Sequence, residues 1–331
     1  SSGDKYCVAS KGNFTIESKW LWRWKDWIDR RFIKKFNVLP KMHVETKSIV
    51  DPKLLSEKNL TDISSIAMRC GGCGAKVGAN VLTSALLNLE PVQRDDVLIG
   101  LKEPDDAAVV QIPKNKVIVH TVDYFRSFIE DPYLFGKISA NHSLSDIFAM
   151  GAKAQSALAI ATVPYGIESK VEETLKQMMT GAMEILNGAN AALVGGHTSE
   201  GAELALGFSV NGLIEKNKIL RKGGMSPGNL LILTKPLGTG TLFAADMQQK
   251  AKGRWIDEAL YSMIMSNKQA AECLFANNAT ACTDITGFGL LGHMVEMLKP
   301  SGVDVEIKLD ALPILDGALE TVHMGILSTL Q

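Results

Sequence analysis

The feature that most restricts the fold is a succession of short apolar, β-branched runs alternating with longer helical patterns beyond about residue 66. Ala107–Gln111, Lys116–Val122, Ser156–Val163, Ala191–Val194, Leu204–Glu215, Asn229–Thr234 and Asp304–Lys308 read as strands. Helical spacing covers Ala79–Leu87, Pro132–Met150, Ser169–Asn187, Ile256–Phe275 and Leu290–Met297, with Asp131-Pro132 as a start signal. Strand follows strand in places before a helix intervenes. The expected class is therefore α/β of the mixed (α+β) kind, not a strict parallel repeat. Pro227-Gly228 marks a turn and a domain boundary near 216–228.

A length of 331 residues allows two or three domains, and 46% hydrophobic against 21% charged residues supplies ample core. A net charge of −1 gives no reason to expect a nucleic-acid partner. Five cysteines, at 7, 70, 73, 273 and 282, form no disulfide framework and suit a reducing, cytoplasmic setting. No apolar run is long enough to span a bilayer, and no signal peptide opens the chain. Ser1-Ser2-Gly3 resembles no natural start, so a fragment of a longer protein is expected.

Residues 1–66 differ in character. Tryptophans stand at 20, 22, 24 and 27, and Lys19–Phe36 holds seven Lys or Arg against two Asp. On a helix Trp20, Trp24, Trp27, Ile28 and Arg31 share one side. That pattern suits peripheral contact with a membrane through residues 19–36, or packing of the aromatics on a neighbouring domain. Pro40 ends the helix, and residues 41–65 read as a linker.

Arg69–Gly78 reads Arg-Cys-Gly-Gly-Cys-Gly-Ala-Lys-Val-Gly. Its glycines let backbone approach a ligand, and a lysine beside a thiol favours the thiolate. Amides and Lys76 ahead of a helix suit an anion such as phosphate. The alternative is half of a zinc site, but no second Cys/His pair with suitable spacing follows Cys70 and Cys73.

Carboxylates recur near strand ends: Asp105, Asp106, Asp123 and Asp284, with Asp146 in an apolar helical stretch. Such groups, drawn from distant parts of the chain, are what a hard cation such as Mg²⁺ requires. A lone aspartate is also a common N-cap, whereas Asp146 among apolar neighbours needs a partner. Gly195-Gly196-His197-Thr198 reads as a phosphate-contact turn or a plain tight turn. Gly287-Phe288-Gly289-Leu290-Leu291-Gly292 matches the dinucleotide fingerprint, with Asp310 at a suitable distance, but the residues before it make a poor strand. No Gly-x-x-x-x-Gly-Lys-Ser/Thr occurs.

From Ile66 onward the chain resembles the selenide, water dikinase (selenophosphate synthetase) family. The resemblance rests on Cys70–Lys76, Asp105–Val109, Thr121–Phe125, Asn141–Gly151, Gly195–His197, Thr234–Gly240 and Thr283–His293. It implies the two-domain ATP-binding synthetase fold of the aminoimidazole ribonucleotide synthetase superfamily, with ATP between two α/β domains and a homodimer formed through a shared β-barrel. The domains implied are 66–216, binding ATP and metal, and 217–331, a truncated C-terminal domain, since the family continues well past Gln331. ATP, Mg²⁺ and selenide are the implied cofactor and substrates. Cys73 matches the family's reactive cysteine and Lys76 its essential lysine. Asp106, Asp123, Asp146 and Asp284 match its metal-holding aspartates. Lys76, Asp105, Asp123, Asn141, Asp146 and Gly196-His197-Thr198 match positions near the nucleotide, the last three reaching a partner's site. Ala75 replaces a second cysteine found in some members. Residues 1–40 resemble the C-terminal tail of an NADH dehydrogenase-like flavoprotein, on Lys5–Gly12 and the Trp-rich helix, which implies a fusion. The alternatives are another ATP-dependent synthetase or maturation enzyme of the superfamily, or a non-catalytic ATP-binding partner domain of a membrane-associated oxidoreductase.

Overall fold

A computed structural model describes residues 7–11, 14–37, 77–87, 89–102 and 107–328. The chain divides into two compact units, Ser1–Leu60 and Thr61–Gln331. The first holds an antiparallel hairpin of β1 (Cys7–Lys11) and β2 (Phe14–Ser18), then helix α1 (Lys19–Asn37). The hairpin has no counterpart in the sequence reading; the helix does. Leu21 is buried, whereas Trp20, Trp24, Trp27 and Ile28 are exposed together, with the Trp20 and Trp24 rings stacked 6.4 Å apart.

The second unit begins with helix α2 (Ala79–Leu86) and a small antiparallel pair, β3 (Val97–Ile99) and β4 (Val109–Val110). Its centre is a four-stranded sheet of β5 (Lys116–Arg126), β6 (Lys153–Pro164), β7 (Ala192–Gly201) and β8 (Ala205–Glu215), in the order β5-β8-β6-β7. Only β6 and β7 run parallel, joined through helix α4 (Glu168–Gly188); β8 pairs antiparallel with both β5 and β6. The class is thus mixed, as expected.

Helix α3 (Pro132–Ala149) lies between sheet and α4 and is buried on nearly every side, including Phe135, Ile138, Leu144, Ile147 and Phe148. Its start is fixed by Asp131, whose side chain accepts from the Leu134 N–H at 3.0 Å, and by Pro132 in the first turn. α3 and α4 meet on glycines. A Cβ added at Gly136 would lie 1.9 Å from the Met178 carbonyl oxygen, and one at Gly181 would lie 2.0 Å from that of Tyr133. The strand β5 shows the two-residue period of a half-covered sheet. His120, Val122, Tyr124 and Arg126 are exposed, while Thr121, Asp123 and Phe125 on the opposite face are partly covered.

Four further helices and one short one follow: α5 (Thr239–Met247), α6 (Gly253–Ile264), α7 (Lys268–Ala276), α8 (Gly289–Ser301) and α9 (Ala318–His323). Their small core gathers Leu242, Phe243, Trp255, Ala259, Leu315 and Ala318. Phe128 joins it to the main core, with its ring 4.8 Å from that of Phe243.

Several expectations are corrected. Asn229–Thr234 and Asp304–Lys308 are not strands, and no strand of the described residues pairs with them. Leu230 and Ile232 are instead exposed. The helix expected over Ile256–Phe275 breaks between α6 and α7, where Met265 is extended. Long-range donors take the carbonyls there: Asn141 Nδ2 reaches Met263 O at 2.7 Å and Met265 O at 2.9 Å, and Lys235 Nζ reaches Ser262 O at 3.0 Å. Gly195–Thr198 is no turn but the middle of β7, with Gly196 opposite Ala159 and His197 opposite Ile160. A Cβ at Gly196 would fall 2.3 Å from the Ala159 carbonyl oxygen, so the close strand pairing, not a phosphate turn, accounts for the glycine.

Candidate functional site

Asp123 lies on the helix-facing side of β5, two residues from Thr121, so both side chains point the same way. Opposite them α3 presents His142 and Asp146, one helical turn apart. Thr121 donates to Asp146 Oδ2 at 2.5 Å, and His142 Nε2 stands 3.8 Å from Asp123 Oδ1. The His142 ring packs edge-on against Phe125, 5.3 Å between centroids, which limits how it can turn. Asp284 comes from the stretch before α8 and interacts electrostatically with Asp146 and His142. A strand, a buried helix and a loop therefore bring these carboxylates within electrostatic reach, with Asp146 between the other two.

Burial pushes the Asp123 carboxyl above its ordinary range; His142 pulls it back, and Asp146 pushes it further up. Asp284 is raised by burial first and by Asp146 second, against a smaller opposing pull from the imidazoles of His142 and His293. Burial, then the charge of Asp284, likewise raises the neighbouring Cys282 thiol. Among the described residues none of the three aspartates pairs with a lysine or arginine. Half-buried, mutually repelling oxygen donors without a cationic side chain are a donor set that fits a hard divalent cation. Among the described residues, no group of three or more His, Cys, Asp or Glu side chains is already drawn together as a metal centre.

The other expected positions fall elsewhere. Asn141 is buried and committed to the end of α6, as described, while its Oδ1 has no partner among the described residues and is an open acceptor there. Gly196, His197 and Thr198 lie on β7, three strands from β5 and so about 14 Å away across the sheet. His197 is exposed there. Cys70, Cys73, Lys76, Asp105 and Asp106 lie outside the described residues. The fingerprint at Gly287–Gly292 does open helix α8, with Gly289 at φ +70°, but no strand precedes it, so it is not a dinucleotide turn.

Three contributors carry little or no signal of their own in the sequence. Thr121 was legible only as a neighbour of Asp123, His142 only by its four-residue spacing from Asp146. Lys235 carried no local signal; its partners lie 27 residues and more away. It donates to Ser262 O and Met265 O, and burial lowers its pKa to about 8.

Comparison with known proteins gives matches over most of the second unit. Residues 104–214 match the family model "AIR synthase related protein, N-terminal domain", and residues 226–329 match its C-terminal counterpart. The chain is 39% identical over 259 residues to a selenide, water dikinase of Caldanaerobacter subterraneus subsp. tengcongensis, covering 78% of this chain and 74% of that one. It is 41% identical over 259 residues to selenide, water dikinase 2 of Peptoclostridium acidaminophilum, covering 77% and 73%. Among solved structures, thiamine-monophosphate kinase from Stenotrophomonas maltophilia superposes with a TM-score of 0.61 at 21% identity, over 75% of this chain and 80% of that one. At that identity the likeness is one of fold.

The Lys235 environment has a pH signature. Its pKa is near 8 when folded and about 10.4 in an unfolded chain, so between those values the unfolded state binds more protons. This group's contribution is constant below pH 8 and becomes more favourable as pH rises towards 10.4. Urea unfolding of wild type and Lys235→Met should therefore show the difference moving in favour of wild type from pH 8 to 10. A difference independent of pH would contradict the assignment.

Proposed function

Because the chain belongs to the selenide, water dikinase family, we infer that it makes selenophosphate from selenide, ATP and water, releasing AMP and phosphate. The observation that carries the reading is 39% identity over 259 residues, which is 78% of the chain. We propose residues 66–216 as the ATP- and metal-binding domain and 217–331 as part of the second.

In this reading Asp123, Asp146 and Asp284, together with Asp106, hold Mg²⁺. The bound ion would neutralise triphosphate charge and polarise the phosphoryl group under attack. Thr121 fixes one oxygen of Asp146, and His142 steadies Asp123, so the carboxylates keep their directions. Lys76 closes over the phosphates and screens charge as selenide attacks, and Cys73 holds or delivers selenium. Asp105 and Asn141 sit near the nucleotide; the unpartnered, buried Asn141 Oδ1 supports that role, since it can accept a hydrogen bond.

Two further readings complete the proposal. The bare sheet face, with Val122, Tyr124 and Leu158 exposed, supports a homodimer in which that face is shared and Gly196-His197-Thr198 serve the partner's site. Residues 1–40 are the tail of an NADH dehydrogenase-like flavoprotein fused through the linker 41–65. The exposed tryptophans and flanking cations of α1 then favour an anionic lipid surface. No described helix is long and apolar enough to cross a membrane. Sedimentation of the full chain, alone and with phosphatidylglycerol vesicles, should give a dimer that pellets with lipid; a monomer that stays in the supernatant contradicts both.

The activity is tested by phosphorus NMR under anaerobic, reducing conditions, with ATP, Mg²⁺ and selenide. Wild type should yield a selenium-coupled phosphorus signal and AMP. Lys76→Ala and Asp146→Asn should lower the rate by about a hundredfold or more. ATP turnover indifferent to selenide would point to another synthetase of the superfamily.

A further inference from the structure

We propose that His293 is a positioning residue that clasps the turn carrying Asp284 and so sets the direction of that carboxylate; the inference rests on reading Asp284 as a metal ligand. His293 lies in the second turn of α8 and is only 5% exposed. Helical side chains lean towards the N-terminus of their helix, so its ring reaches back over the turn that precedes α8. There Nε2 accepts the backbone N–H of Thr286 at 3.1 Å and lies 3.1 Å from the Thr286 hydroxyl. Thr286 is two residues from Asp284, and its carbonyl accepts from Gly289 N–H at 2.9 Å, closing the turn into the helix. The backbone between Asp284 and α8 is thereby tied at one residue from both its N–H and its carbonyl sides.

The other ring nitrogen settles which atom accepts. With Nε2 receiving a peptide N–H, the ring's proton belongs on Nδ1. Nδ1 is buried without a hydrogen bond among the described residues, 3.6 Å from Glu296 Oε2. Glu296 is itself held by Lys222. Phe288 packs beside the ring, 6.0 Å between centroids. A histidine here is thus used as a shaped acceptor: it ties a peptide group, not the carboxylate itself. Outer partners of this kind orient ligands they do not replace, and losing one typically weakens metal binding about 10–100-fold.

The test uses the full chain and Mn²⁺ alone as the probe, with free Mn²⁺ read by electron paramagnetic resonance. Wild type, His293→Leu, His293→Gln and Asp284→Asn are titrated, and each is melted in metal-free buffer to confirm folding. Leucine removes the acceptor, whereas the glutamine Oε1 reaches the place of Nε2. The expected result is binding weakened about tenfold in His293→Leu and restored to within about threefold of wild type in His293→Gln. Unchanged binding in His293→Leu, beside a loss in Asp284→Asn, would overturn the positioning role alone. Equal loss in His293→Leu and His293→Gln would also overturn it, because packing would then be the cause. Wild-type binding in Asp284→Asn would overturn the metal reading, and this proposal with it.

Discussion

Repulsion among carboxylates is the constraint on which the rest of the site depends. Burial raises Asp123 and Asp284, and the charge of Asp146 raises both further. Their described partners are a hydroxyl and an imidazole, which orient the oxygens, and among the described residues no lysine or arginine pairs with them. Such an arrangement costs stability unless a cation joins it. Retaining strained polar groups at one place in an otherwise well-packed domain is the pattern of a functional site.

The scaffold makes that arrangement affordable. Asp146 rides on a helix buried on nearly all sides, and α3 and α4 approach so closely that their contact is backbone against glycine. Lys137 and Glu184 bridge the two helices at 2.7 Å on the margin. Asp123 stands on a strand paired along its whole length with β8, Lys116 to Arg126 against Glu215 to Ala205. Rigid elements thus carry two of the carboxylates, and the third arrives on a turn closed by side-chain and backbone bonds. This division suits a site that holds ions and phosphates in fixed geometry.

How much was legible depended on whether the signal was local. Pro132–Ala149 was readable because Asp131 and Pro132 mark its start and apolar residues fill it. In the sequence Asp123 looks like the end of β5 after Val122, yet the alternation continues through Arg126 and puts Asp123 on the covered face. After Val194 the paired glycines imitate a turn in the sequence; the parallel partner β6 carries β7 on through them. The break between α6 and α7 was invisible, since its cause is donors from Asn141 and Lys235. For the site, composition and spacing singled out aspartates, and the resemblance to a family named which ones. What only coordinates could add were Thr121, His142 and His293, ordinary polar residues that matter through what they touch.

The central claim is that Asp123, Asp146 and Asp284 form one cation-holding cradle. It is tested most directly by crystallising the full chain with Mn²⁺ and a non-hydrolysable ATP analogue and mapping the anomalous signal of manganese. The account predicts manganese within bonding distance of these carboxylates, bridged to the analogue's phosphate oxygens. Manganese and nucleotide bound elsewhere, with the three carboxylates left bare, would contradict it.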